Sequence, residues 1–352
     1  MPANLSPEYK NAQDAFRRVS EAQEKLGHLK EMLRTIPKHK GTEHLQADIK
    51  TRIKELTEEL TGPRKGGARG GPELAVRPEG AAQVALIGPP NAGKSSLHVR
   101  LTGSHAVVGP YPFATKFPLP GMLPHEDVQF QLVDLPPVSS DYMEPWMGGT
   151  LQNADAVLLV SDLSDPECVG HLEAVERQLK AKKVDLVARV PGREDAVLAV
   201  PAEGEPQAAP AEEFEDPFRI RLPALLVASK ADLYGDPAAE LETFQELAPD
   251  PFVSLAASTE TGQGLDEIGL ALFELLEVVR VYSKMPHRPP DMSKPFTLRR
   301  GGTVHDVAQQ VHRGLATDLR FARVWGPGAT FDGQQVSGDH PVEDKDVVEL
   351  HW

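Results

Sequence analysis

The sequence predicts an α/β protein: a doubly wound, mostly parallel sheet, preceded by a helical hairpin and followed by a small β-grasp-like domain. Three observations lead there. From Gln83 to about residue 284, short apolar runs alternate with helical patterns, the order that builds parallel strands joined by helical crossovers. Before that region, residues 7–61 repeat apolar positions every three or four residues, as amphipathic helices do. After it, beyond a proline-rich stretch at 286–295, residues 295–352 run strand, helix, short strands.

Taken in order, residues 7–35 read as one charged helix, with Ala15, Val19, Ala22, Leu26, Leu29 and Leu33 at helical spacing. Pro37 and Gly41 break it, and a second helix follows with Leu45, Ile49, Ile53, Leu56 and Leu60 on one stripe. The pair makes a helical hairpin over residues 1–61. The plainer reading is a solvated hairpin packed on its own chain; the functional one is an arm that grips a partner. Residues 62–82 are rich in Gly and Pro and form a linker. A domain from 83 to 285 then carries the strands VALIG, VQFQLVD, DAVLLVSD, ALLVASK and FVSLAAS, with helices from Lys94, near 166–182 and near 264–284. A Pro/Ala/Glu-rich stretch at 190–217 interrupts it as an acidic insertion. In the last domain, PFTLRR, a helix from Val304 to Leu315, FARVW and DVVELHW give the β-grasp-like order.

Composition narrows the function classes. With 40% hydrophobic and 25% charged residues the chain is an ordinary globular one. Its net charge of −15 argues against a uniformly basic nucleic-acid binder. The charge is uneven, however: residues 1–70 hold 14 Lys/Arg against 10 Asp/Glu, and residues 185–217 hold 2 Arg against 9 Asp/Glu. The single cysteine, Cys168, excludes an intrachain disulfide and favours a reducing compartment. No apolar run approaches the roughly 18 residues of a membrane span, and the N-terminus has no signal-peptide pattern. The expectation is a cytoplasmic protein with no membrane partner.

Residues 88–95, Gly-Pro-Pro-Asn-Ala-Gly-Lys-Ser, match G-x-x-x-x-G-K-[ST] between a predicted strand and a predicted helix, which is the context that motif needs. Gly88 and Gly93 let the backbone wrap a phosphate; Asn91, Ala92 and Ser96 complete the loop. Successive N–H groups and the helix start offer positive charge. Lys94 is placed to reach the β/γ phosphates and Ser95 to ligate Mg²⁺. Asp134, ending VQFQLVD, is placed to hold the Mg²⁺ shell. Thr115 lies between them in GPYPFATKFPLPG. Alone it reads as a surface threonine; the ordered triple Lys94, Thr115, Asp134 makes it a Mg²⁺ ligand and, with Lys94, a catalytic candidate. Ser229-Lys230-Ala231-Asp232 follows the strand ALLVA. The Asp232 carboxylate is suited to guanine N1–H and the N2 amino group, and the Lys230 stem to the base plane. Ser258-Thr259 follows FVSLAA, where a backbone N–H meets guanine O6. Together these residues predict GTP/GDP binding.

The set resembles the five motifs of a translation-factor-class GTPase. GPPNAGKSSL and YPFATKFPLPG resemble the Obg/DRG (developmentally regulated GTP-binding) group, which carries Y-x-F-T-T where Ala114 and Thr115 stand here. The segment IPKHKGTEHLQADIKTRIKELTEEL is similar to the N-terminal helices of DRG proteins. Residues 265–284 resemble the final helix of their G domain, and 295–352, with FARVWG and DKDVVELHW, their TGS domain. The resemblance spans most of the chain. It implies a slow GTPase that uses Mg²⁺ and associates with ribosome or RNA through its TGS domain and hairpin. Asn91 matches a position that helps bind K⁺ in potassium-stimulated relatives.

Departures from the pattern matter. Relatives carry D-x-P-G after the magnesium strand, where this chain has Asp134-Leu135-Pro136-Pro137. The missing glycine donates an N–H to the γ-phosphate, and proline has none. Ser229 replaces the usual Asn, weakening a contact that braces the loop. Val138 stands where Ras-like proteins keep a water-orienting Gln, a trait shared with Obg-type relatives. The alternative to a slow GTPase is therefore a non-hydrolysing guanine-nucleotide scaffold with a degenerate switch. An ATPase is a third reading, against which Asp232 argues.

Overall fold

The computed structural model describes residues 7–19, 22–37, 43–61, 76–104, 117–188, 219–247 and 252–352. Most of the linker, the segment containing Thr115 and the acidic insertion lie outside the described residues. The chain divides into two compact units, each with its own core.

The first unit holds α1 (Pro7–Arg18), α2 (Ala22–Thr35) and α3 (Glu43–Thr61). The single helix expected over 7–35 is two helices. Tyr9 and Ala12 from α1, Leu29 and Met32 from α2, Ile36, and Ile49 from α3 form one buried cluster. These residues recur at helical spacing on each helix, so each presents one apolar stripe to the others.

The second unit carries two sheets. Its elements run β1 (Ala82–Ile87), α4 (Lys94–Thr102), β2 (Leu119–His125), β3 (Val128–Asp134), α5 (Met147–Leu151), β4 (Ala156–Asp162), α6 (Cys168–Ala181), β5 (Val184–Val187), β6 (Ile220–Ser229), α7 (Pro237–Leu247), β7 (Val253–Ala256) and α8 (Leu265–Leu275). The sheet order is β2-β3-β1-β4-β6, and the far side of β6 pairs with β5 along its first half and β7 along its second. Only β2 runs antiparallel. Helices cover both faces. Ala85, Ile87, Leu159 and Leu226 pack with α5, α6 and Phe244 of α7; Val84, Leu86, Leu158 and Val227 pack with Leu97 of α4 and with α8. Strands buried on both faces read as continuous apolar runs, which is why β1 and β4 were legible and edge strand β2, with two prolines and a glycine, was not.

The helix expected over 264–284 stops at Leu275. Glu277 turns the chain with φ 47, and the β-branched run Val278-Val279-Arg-Val281 continues as a strand. That strand, β8 (Val278–Ser283), belongs to the second sheet with β9 (Asp291–Arg299), β10 (Phe321–Trp325), β11 (Gln334–Val336) and β12 (Asp346–His351), in the order β11-β10-β12-β8-β9. The β-grasp domain thus takes its first strand from residues ahead of the proline-rich stretch. The helix expected over 304–315 is α9 (Val304–Val311) followed by α10 (Arg313–Asp318). A capping box between Thr303 and Asp306 starts α9, and extended backbone at His312 ends it.

A polar clamp joins the two sheets. Arg280 of β8 donates to Asp344 from Nε at 3.0 Å and Nη2 at 2.7 Å, to Asp127 at 2.9 Å, and to Glu126. Tyr282 donates its hydroxyl to Asp127. Glu126 and Asp127 form the turn between β2 and β3, whose other end is Asp134.

Candidate nucleotide-binding site

Five strand ends converge on one edge of the large sheet. β1 lies between β3 and β4, so the loops after it and after β4 leave on opposite faces, and ligands of open α/β sheets bind in the crevice made there. Gly88 follows β1, Asp134 ends β3, Asp162 ends β4, Ser229 ends β6, and Ser258 stands just past β7.

The loop from Gly88 to Ser95 folds as its glycines dictate. A Cβ on Gly88 would stand 2.2 Å from the Val160 carbonyl oxygen of β4, so no larger residue fits. Gly93 precedes α4 with φ 86, a conformation that favours glycine. Asn91 also takes positive φ, 59°, and is exposed. Ala92 is buried and its carbonyl turns inward. Ser96 lies half-buried in the first turn of α4.

Lys94 is 6% exposed and donates from Nζ to the Pro89 carbonyl at 2.7 Å. Burial pushes its ammonium down to about 8, against the opposing pull of the Asp134 carboxylate. Ser95 Oγ donates to Asp134 Oδ2 at 2.7 Å. A hydroxyl and a buried carboxylate thus meet beside the phosphate loop. This is oxygen-only chemistry of the kind a hard divalent cation takes, and Mg²⁺ characteristically uses one or two protein oxygens and fills its shell with phosphate oxygens and water. The two residues fit that ion. Among the described residues no cluster of three His, Cys, Asp or Glu side chains offers a closed protein cage.

The residues expected on the base side also come together. Lys230 takes φ 59 at the end of β6, turning the chain into the 3-10 turn Ala231–Leu233. Asp232 is exposed and accepts from Ser258 Oγ at 2.5 Å. The N–H groups of Glu260 and Thr261 both approach that oxygen at 3.2 Å, fixing the Ser258 hydroxyl. The Ser258 N–H is taken by Gln263 O at 3.0 Å. Among the described residues the Thr259 N–H forms no hydrogen bond.

Ser229 keeps a hold on the phosphate loop with one hydroxyl. Its Oγ lies 2.7 Å from Ala92 O and 3.1 Å from Ser161 O, and its single proton is shared between them. The segment after Asp134 is tied down. Val138 N–H donates to Gly88 O at 3.1 Å and Ser139 N–H to Tyr142 O at 2.9 Å. The Val138 side chain is fully buried with Met143 and Met147, and Gln178 of α6 holds the Ser140 carbonyl at 2.7 Å.

Two polar residues near these side chains carry no motif. His98 of α4 is buried, with Nε2 3.3 Å from Leu132 O and Nδ1 2.9 Å from Ser104 Oγ; burial pushes its pKa down. Asp162 accepts from the Lys230 ammonium and, through Oδ1, from Ser164 N–H and Oγ. Its place at the end of an apolar strand, like that of Asp134, was the available signal.

The chain resembles known proteins in sequence. Residues 83–190 match the model of the 50S ribosome-binding GTPase family, and residues 279–351 that of the TGS domain. The chain is 31% identical to developmentally-regulated G-protein 2 of Arabidopsis thaliana, over 91% of its own length and 88% of the relative's. It is 30% identical to developmentally-regulated G-protein 1 of the same plant, over 91% and 88%. An uncharacterised GTP-binding protein of Halobacterium salinarum is 29% identical over 93% and 98%. A solved GTP-binding protein of Pyrococcus horikoshii OT3 is similar over 76% of this chain and 99% of its own, at 16% identity and a TM-score of 0.47.

Proposed function

Because the chain belongs to the developmentally regulated GTP-binding family, we propose that it is a slow, guanine-specific GTPase that works on the ribosome or on RNA in the cytoplasm. One observation carries the nucleotide part: the phosphate-loop residues Lys94 and Ser95, the carboxylate of Asp134 and the Asp232–Ser258 pair stand on one sheet edge at hydrogen-bonding distances. Lys94 would exchange the Pro89 carbonyl for β/γ-phosphate oxygens. Ser95 would ligate Mg²⁺, with Asp134 behind it and Thr115 joining in the triphosphate state. The ion would neutralise charge on the transferred phosphoryl group. Gly88, Asn91, Ala92, Gly93 and Ser96 would line the phosphates. Asp232 would read the guanine N1–H and N2 amino group, with Lys230, Ser258 and Thr259 completing the base site; Asn91 is the candidate K⁺ ligand, tested by hydrolysis rates in KCl against NaCl. Competition of ATP against labelled GTP tests the core of this reading, and equal displacement would overturn it.

A second reading, a guanine-nucleotide scaffold with an attenuated switch, rests on one observation. Pro136 and Pro137 have no N–H, and the next two, on Val138 and Ser139, are already used inside the protein. Single-turnover GTP hydrolysis separates the two readings: a measurable first-order phase supports the enzyme, and none supports the scaffold.

A further inference from the structure

We propose that Asp162 is a positioning residue of the guanine site, holding the Lys230 ammonium so that the lysine stem stands as a wall of the base pocket. The inference rests on the base-site reading of Lys230 and Asp232 given above.

The carboxylate is built into place from both sides. Asp162 ends β4 in register with Ser229 at the end of β6. Its Oδ1 accepts from the Ser164 N–H at 2.9 Å and the Ser164 hydroxyl at 2.6 Å. Those two bonds fix the carboxylate plane, which leaves Oδ2 for the Lys230 ammonium. The Asp162 side chain is 13% exposed and that of Lys230 40%, so the acceptor is set in the protein and the lysine reaches in from solvent.

Further ties brace the same two loops. Leu163 N–H donates to Ser229 O at 3.3 Å, and the Tyr234 hydroxyl donates to Leu163 O at 2.8 Å. Lys230 itself sits at φ 59, which aims its side chain from a backbone conformation that L-residues rarely adopt. A flexible four-carbon stem has little value as a platform unless its far end is held. The ordinary alternative is a part-exposed ion pair of small energetic effect. The Ser164 bonds and the position between the phosphate loop and Asp232 favour the positioning role.

The proposal predicts a specific pattern. Asp162→Asn keeps an acceptor for Ser164 but removes the charge that holds Lys230. It should weaken GDP and GTP by the same factor, about ten-fold, the scale of one charge-assisted hydrogen bond. Because the base is common to both nucleotides, the GTP-to-GDP ratio should not move. Tyr234→Phe removes a brace of the same loop without touching Lys230, and should weaken binding far less. Asp162→Glu should recover part of the loss. The experiment titrates the full-length protein and each variant with labelled GDP and GTP, alongside thermal unfolding. Unchanged affinity in Asp162→Asn, or an equal loss in Tyr234→Phe, overturns the proposal. Asp232→Asn serves as the separate control: if it fails to exchange guanine for xanthine preference, the base-site reading itself is wrong, whatever Asp162 does.

Discussion

At the scale of single residues, the proposed function gives the segment after Asp134 the task of sensing the γ-phosphate. A contact made only with the triphosphate gives differential affinity, and only differential affinity moves a conformational equilibrium. Pro137 supplies no N–H, and Val138 spends its own on Gly88 O. Pro137→Gly should therefore raise the preference for GTP over GDP by roughly ten-fold or more, the value of a hydrogen bond to a charged group. Paired GTP and GDP titrations check this, and no change in their ratio would show that the proline is tolerated. Val138 makes a second case. Placing a glutamine there would not install a water-orienting group, because the Val138 side chain is fully buried among Met143, Met147 and Leu151. Val138→Gln should cost about 1–3 kcal/mol for an amide buried without partners, read by urea denaturation, and should not speed hydrolysis. Asp232→Asn should lower GTP affinity and favour xanthine nucleotide, since polar discrimination of this kind reaches roughly 10²-fold or more.

At the scale of elements, the β2–β3 hairpin links the site to the β-grasp sheet. Its strands run paired from Leu119↔Asp134 to His125↔Val128, and its turn is held by Arg280. The guanidinium sits between carboxylates of both sheets and over the Phe273 ring at 4.9 Å. Arg280→Ala leaves Asp127 and Asp344 facing each other without a cation. It should cost about 2 kcal/mol, below the value for a wholly buried pair because these carboxylates keep some water. Calorimetry should show the two domains unfolding at separate temperatures. The acid dependence follows from the carboxyls. Burial pushes Asp344 up, but hydrogen bonds from Arg280 outweigh it; the Tyr282 and Arg280 bonds do the same for Asp127, so both end below their ordinary value of 3.8. A carboxylate depressed in the folded state contributes stability above its unfolded pKa and loses it as pH falls through the folded one. The clamp should thus weaken below about pH 4, and Arg280→Ala should flatten that part of the stability–pH curve.

At the scale of the molecule, among the described residues the candidate site draws on the strand ends and loops of the large sheet, and the proposed function assigns the helical unit and the β-grasp sheet to a partner. Removing either should reduce ribosome co-sedimentation while changing GTP affinity little, and an electrostatic RNA contact should weaken as salt is added. Unaltered co-sedimentation after both deletions would refute the assignment. The cut that removes the C-terminal domain belongs near Leu276 rather than at residue 290. A cut at 290 strands β8, with Val279 and Val281 stripped of the core they share with Val348 and Ala322, and would test aggregation instead of binding.

Much of this protein was legible in order along the chain. Continuous apolar runs mark doubly covered strands, so β1, β3, β4 and β6 and the motifs at their ends could be placed without coordinates. The phosphate loop is local chemistry: eight consecutive residues, two of them glycines where close approach and positive φ allow little else. What the chain does not reveal is pairing across distance. Edge strand β2 carries no clear apolar alternation because two prolines and a glycine interrupt it, residues that an edge tolerates. The six residues of β8 read as the end of a helix because leucines precede them, and only the second sheet makes them a strand. The ties of Val138 to Gly88, Ser164 to Asp162 to Lys230, and Arg280 to three carboxylates join residues whose types are common on any surface. A hydrogen bond has meaning only when both partners have been brought together, and that depends on the register of the sheet. The sequence by itself therefore determined the kind of ligand, and the tertiary structure decided which side chains meet at the candidate site.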